Sequence, residues 1–148
     1  MVKSNIGSVF ANSSTTYTGG ERVWRETRRV YPGGGRLTTA SIKAILGNTA
    51  KEGVIPAGTP VTFDSSTKTI TLLTSANLAV AENKPTVNGF IKDDIAIVDL
   101  GAVPTNDNLF ASATVVYEGE LYEYMFSATD VTNIKTCLSP DCKVIFVN

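Results

Sequence analysis

The chain has 148 residues, 43% of them apolar and 18% charged, and a formal net charge of -1. That length suits one domain with a real core, and the near-neutral total argues against a strong field toward nucleic acid or a membrane surface. The chain has no histidine, which removes Ser-His-Asp and Cys-His nucleophilic systems and the commonest metal ligand.

Residues 1–20 are rich in Ser, Thr, Asn and Gly, a composition that buries little by itself. The first ten lack a sustained apolar stretch, so no secretory signal is expected. No run approaches the ~18 apolar residues of a membrane span. Residues 1–36 carry six basic and two acidic side chains, hence +4, whereas the remainder carries seven and twelve, hence -5. All the arginines (Arg22, Arg25, Arg28, Arg29, Arg36) lie in this first part. Such asymmetry suggests a segment with its own partner.

The segment ERVWRETRRVY has no clean alternation. In a regular strand Val23, Arg25, Thr27, Arg29 and Tyr31 share one face, and Arg22, Trp24, Glu26, Arg28 and Val30 the other. Neither face is wholly apolar, which suits an extended arm laid on another surface; a packed first strand with a basic exposed face is the plainer reading. Pro32 followed by Gly33, Gly34 and Gly35 marks a break. The expected division is therefore 1–36, an N-terminal arm with a glycine linker, and 37–148, a β-rich domain.

Thr38 or Thr39 can cap a brief helix with Ile42, Ile45 and Leu46 on one side, ended by Gly47 and Asn48, although this stretch can equally be a strand. From Gly53 the texture is β-like. GVIPAGTPVTF holds a turn at Ala57-Gly58, and Val61-Thr62-Phe63, DSSTK and residues 69–73 form a hairpin. Residues 78–82 suit a helical turn before Pro85, 87–91 and 95–100 are strands, and 101–108 is a loop. Residues 113–117 and 120–126 read as a strand pair joined tightly at Glu118-Gly119. Thr129 or Asp130 caps a short helix through Leu138 that buries Val131 and Ile134; a last strand spans 143–147. The expected class is a β-rich mixed α/β fold with one or two short helices.

Little in this sequence points to chemistry. Asp93, Asp94 and Asp99, and Glu118, Glu120 and Glu123, are clustered carboxylates, but they lack calcium-ligand spacing and read as solvated turns and the wet face of a sheet. PGGGR lacks the Gly-Lys-Ser/Thr ending of a phosphate loop. Cys137 and Cys142, spaced C-x₄-C, have no second pair; they read as buried or half-buried thiols rather than a zinc site or a disulfide. No catalytic residue, cofactor or metal is expected. Arginines interleaved with Trp24 and Tyr31 can contact phosphates and stack on bases, but the patch is short and the body acidic, so no nucleic-acid partner is expected, and no membrane.

Four features occur in order: IPAGTPVTF, NGFIKDDIAI, ATVVYEGELYEYMF with a central x-Gly-Glu, and a short helix followed by KVIFV. Together they make residues 53–147 resemble the head decoration proteins of tailed bacteriophages, the lambda type. The resemblance covers about two-thirds of the chain as pattern order, with no single diagnostic motif. It implies a small strand-rich α/β body, a homo-oligomer with the trimer favoured, and a structural virion protein. Such a protein is made in the host cytoplasm, binds the major capsid protein on the capsid's outer surface and stabilises the shell. In that family the N-terminal segment engages the capsid; here the expected capsid-binding arm is Arg22, Trp24, Arg25, Arg28, Arg29 and Tyr31. Two other readings are a receptor- or glycan-binding module of a head fibre, using Tyr117, Tyr122 and Tyr124, and a small histidine-free glycosidase using Glu118, Glu120 or Asp94.

Overall fold

The computed structural model describes residues 22–98 and 109–148. In chain order the elements are β1 (Trp24–Val30), β2 (Gly35–Thr38), α1 (Thr39–Leu46), β3 (Gly53–Ile55), β4 (Pro60–Asp64), β5 (Thr69–Leu72), α2 (Ser75–Leu78), β6 (Gly89–Ile91), β7 (Ile95–Ile97), β8 (Leu109–Ala113), β9 (Val115–Tyr122), a single 3-10 turn (Glu123–Met125), α3 (Ala128–Cys137) and β10 (Lys143–Val147). The class is β-rich mixed α/β, as expected, with three short helices among the described residues.

Hydrogen-bonded neighbours in the main sheet run β1-β9-β6-β4-β5-β2-β8, with β10 added beside β9. Chain continuity closes this order on itself. β8 and β9 are one bent strand interrupted at Thr114, and β1 and β2 run antiparallel along its two halves. β6 takes the other edge of β9 at Val115 and Val116, and β10 continues along that edge, parallel to β9, from Lys143 opposite Glu118 to Val147 opposite Tyr122. A small second sheet pairs β3 with β7.

Curling gives the sheet two apolar sides. Leu37, Ile55, Val61, Phe63, Ile70, Leu72, Ile91 and Val115 fill one cluster, closed by Ile42 of α1. Trp24, Val87, Phe90, Val116, Leu121 and Val144 fill the other, beneath Ile134 and Cys137 of α3. Neighbours Phe90 and Ile91, and likewise Val115 and Val116, feed opposite clusters, as the period of two in a strand requires. Local signals set the helix ends. The Thr38 hydroxyl accepts the Ser41 N–H at 3.2 Å at the start of α1, and the Ser127 hydroxyl accepts the Asp130 N–H at 3.1 Å at the start of α3. Ser127, not Thr129 or Asp130, is thus the cap of α3. The turn expected at 78–82 is instead α2, capped by Thr74.

Two expectations are corrected. The pair expected around Glu118-Gly119 is one continuous strand, β9. A methyl group on Gly119 would lie 2.6 Å from the Glu26 carbonyl oxygen and 3.2 Å from the Trp24 ring, so this glycine admits a neighbouring backbone and does not turn the chain. The tight turn expected at Glu118-Gly119 is accordingly not formed. The boundary expected between 36 and 37 falls inside the sheet, because β1 and β2 flank the same bent strand. Gly34, at φ 61°, sits against the Ala113 carbonyl, so Pro32 to Gly35 is a fitted corner and not a free linker. The rest of the expected arm, residues 1–21, and the loop at 101–108 lie outside the described residues, as does Asp99.

Candidate functional site

The Arg-rich strand is read correctly once its register is known. Trp24 pairs with Leu121, Glu26 with Glu120, Thr27 with Gly119 and Arg29 with Glu118, so Arg25 and Arg28 are each an extra residue on β1. Such bulges break the period of two. The inward residues become Trp24, at 8% exposure, and half-buried Thr27, three apart, while Arg25, Glu26, Arg28 and Arg29 all face out. Trp24 therefore does not fill a pocket on another protein. Its indole N–H donates to the Ile91 carbonyl at 3.1 Å, and its ring meets Phe90 edge-on, with centroids 6.3 Å apart. Tyr31 is also turned in: its hydroxyl donates to the Asn88 carbonyl at 3.0 Å, and its ring packs between Phe63 and Tyr117. Trp24 is buried and Tyr31 half-buried in the chain's own packing.

The outward face of β1, β9 and β10 carries the charges. Glu120, its side chain 10% exposed, is held between two guanidiniums: Arg25 binds one carboxylate oxygen and Arg28 the other at 3.1 Å. Glu26 accepts from Arg28 Nε at 2.5 Å, and that bond, with the Glu26 charge, raises the guanidinium above its ordinary value. Arg29 lies 3.6 Å from Glu118. Of the four arginines of the expected arm, Arg22 alone makes no ion pair with another described residue. Glu118 and Glu120 both meet arginines of β1, while Glu123 faces Lys135 of α3 at 3.7 Å.

Beside this network lies uncovered apolar surface. In the β9–β10 ladder Ile145 adjoins Glu120, and Val147 adjoins Tyr122. Ile145 is 52% exposed and Tyr124 68%. The Tyr122 and Tyr124 rings stack at 5.3 Å, whereas Tyr117 sits with Tyr31 elsewhere; the three tyrosines do not form one site. Reading the sequence alone missed Ile145. KVIFV announces a strand, but nothing in it says which edge stays open.

Elsewhere the segments that carry the resemblance meet. Ala57 N–H donates to the Asp94 carboxylate at 2.7 Å, and the Ile91 carbonyl receives the Gly58 N–H at 2.8 Å. An open, mainly apolar cleft of about 550 Å³ lies by this turn, lined by Val23, Ile45, Pro56, Leu73, Met125 and Phe126, with Asp130 as its one ionisable side chain. Asp94 is thus engaged at the 56–59 turn, apart from Glu118 and Glu120 on the outward face. Among the described residues no cluster of three or more His, Cys, Asp or Glu is arranged to hold a metal, and no helix is long and apolar enough to cross a membrane. No family model, curated protein or solved structure matches the chain.

Proposed function

We propose that this chain is a structural virion protein that binds the outer surface of a tailed-phage capsid and stabilises it, acting by docking and not by catalysis. The reading rests on the ordered resemblance of residues 53–147 to head decoration proteins. The observation that supports a docking role is Tyr124, 68% exposed in the turn after β9 and in ring contact with Tyr122 of β9, the strand whose outward side carries the arginine–glutamate network. Aromatic and Arg side chains set among apolar neighbours are the usual anchors of protein interfaces. The partner is the major capsid protein, and repetition on a lattice turns modest contacts into stable occupancy.

The docking element is thus moved from the Arg/Trp arm to this face, with residues 1–21 as a second contact. Removing every residue before Gly33 would take β1 out of the sheet, so the informative deletion ends at residue 21. The test is co-sedimentation with capsids lacking the protein. Tyr124→Ala should reduce occupancy by about tenfold, the effect of an anchor worth more than ~1 kcal/mol. Unchanged occupancy in both Tyr124→Ala and the deletion would refute the reading. The contact of exposed Tyr124 with half-buried Tyr122 favours one rival, a glycan-binding fibre module; specific binding on a glycan array that is abolished by Tyr124→Ala would favour it.

A further inference from the structure

β1 and β10 are the two strands that flank the second half of β9, and they are built differently. β1 carries two bulges and four outward charges, features that blunt an edge against further pairing. β10 has no bulge and a single charge. Its register with β9 is regular over five residues, it has no Pro or Gly, and its one charge, Lys143, stands at its start. Among the described residues β9 is its only ladder partner. Its middle residue, Ile145, is 52% exposed. An unblunted, apolar edge of this kind is a template for another strand.

We propose that a second copy of this chain occupies that edge, with β10 running antiparallel to β10 of its partner across a two-fold axis at Ile145. The sequence of the strand suits its own copy. This register pairs all five residues and sets Ile145 opposite the partner's Ile145. It sets Lys143 opposite the partner's Val147, which separates the two lysines by four residues, about 14 Å along the strand. Parallel pairing would instead place Lys143 beside Lys143. The two-fold contact consumes both open edges at once and stops there, whereas a head-to-tail contact would leave an edge free to propagate. It also covers Ile145 with Ile145 on the outward face and makes one sheet continuous from β1 of one protomer to β1 of the other. The contact concerns the free protein; it takes Ile145 for the second copy, leaves Tyr124 for the capsid, and departs from the trimer that the resemblance implies.

The test uses the full chain without capsids. Light scattering over a wide concentration range should give twice the chain mass, dissociating on dilution. Ile145→Lys, a change on an exposed side chain, should keep the circular dichroism of the parent and raise the dimer dissociation constant by about tenfold or more, because like charges then face each other across the axis. Ile145→Cys should give a disulfide-linked dimer under a mild copper oxidant, since directly opposed strand residues lie about 4.5–5.5 Å apart at Cα, within disulfide range. Lys143→Cys under the same conditions should not, and the unsubstituted chain, with its buried Cys137 and Cys142, sets the background. A monomer at all concentrations, a trimer, an Ile145→Lys protein that still dimerises like the parent, or equal cross-linking at 143 and 145 would each overturn the two-fold contact.

Discussion

Replacing Trp24 with Ala separates a core residue from an interface anchor. At 8% exposure the indole packs against Phe90, Leu121 and the surface left bare by Gly119. Truncating a buried Trp to Ala costs about 3–5 kcal/mol. Loss of the indole hydrogen bond adds little, because the Ile91 carbonyl keeps the Gly58 N–H as a donor at 2.8 Å and is not orphaned. Against a total stability of about 5–15 kcal/mol this removes a large share. Trp24→Phe keeps most of the apolar contact and should cost about 1–2 kcal/mol. The assay is urea unfolding followed by far-ultraviolet circular dichroism, since Trp24 is the only tryptophan and its fluorescence vanishes with it. A loss below about 1 kcal/mol for Trp24→Ala would refute its place in the core and return the strand to the role of a free arm.

Two further outcomes follow from the same geometry. Glu120→Gln should destabilise by about 1 kcal/mol in urea unfolding, well short of the ~3–5 kcal/mol for a fully buried broken pair, because Arg25 and Arg28 are 56% and 46% exposed and can turn to water; a loss near the higher figure would mean the network is sealed. The Ser66 hydroxyl, followed by the Ser66 backbone N–H, holds the Asp64 carboxyl below its ordinary range at the β4–β5 turn. A lowered folded value makes the contribution present above the ordinary aspartate range and lost as pH falls through the folded value. The stability gap between the parent and Asp64→Ala should therefore narrow as the solution is acidified, and a gap constant with pH would refute the assignment.

What was legible in the sequence were elements whose signals are local. The β4–β5 hairpin around DSSTK and the final strand form close to where pattern and turn chemistry place them, and the stretch after Thr38, which reads equally as helix or strand, is a helix. The misreadings arise where a distant backbone decides. Gly119 beside a glutamate looks like a turn, but it is the clearance that lets β1 pass, set by Glu26 and Trp24 over ninety residues away in the chain. Pro32 to Gly35 looks like a linker because glycine's freedom reads the same whether it serves flexibility or a fitted corner against Ala113. The strand ERVWRETRRVY hides its inward face because two bulges convert a period of two into a spacing of three. Bulges depend on the partner strand, so no count of alternation along β1 alone exposes them.

The bulges also reassign the energetics of recognition. Arginines gathered in one segment suggested charges waiting for an acidic partner, yet Arg25, Arg28 and Arg29 already face Glu118, Glu120 and Glu26. A partner that claimed these guanidiniums would first have to break those pairs and would leave Glu120, 10% exposed, without compensation. Their contribution to binding is then orientation and rate more than affinity. For the docking proposed above, affinity would come from uncovered apolar surface: Tyr124 is open to the capsid, and Ile145 is the residue that the proposed second copy would cover. Ile145 stays open because α3 returns the chain to the far side of β9, where β10 lies parallel and outermost. A strand delivered by a helical crossover can be the sheet's centre or its edge, and the five residues KVIFV read the same in both. The choice is made by β9, whose opposite side is already taken by β1.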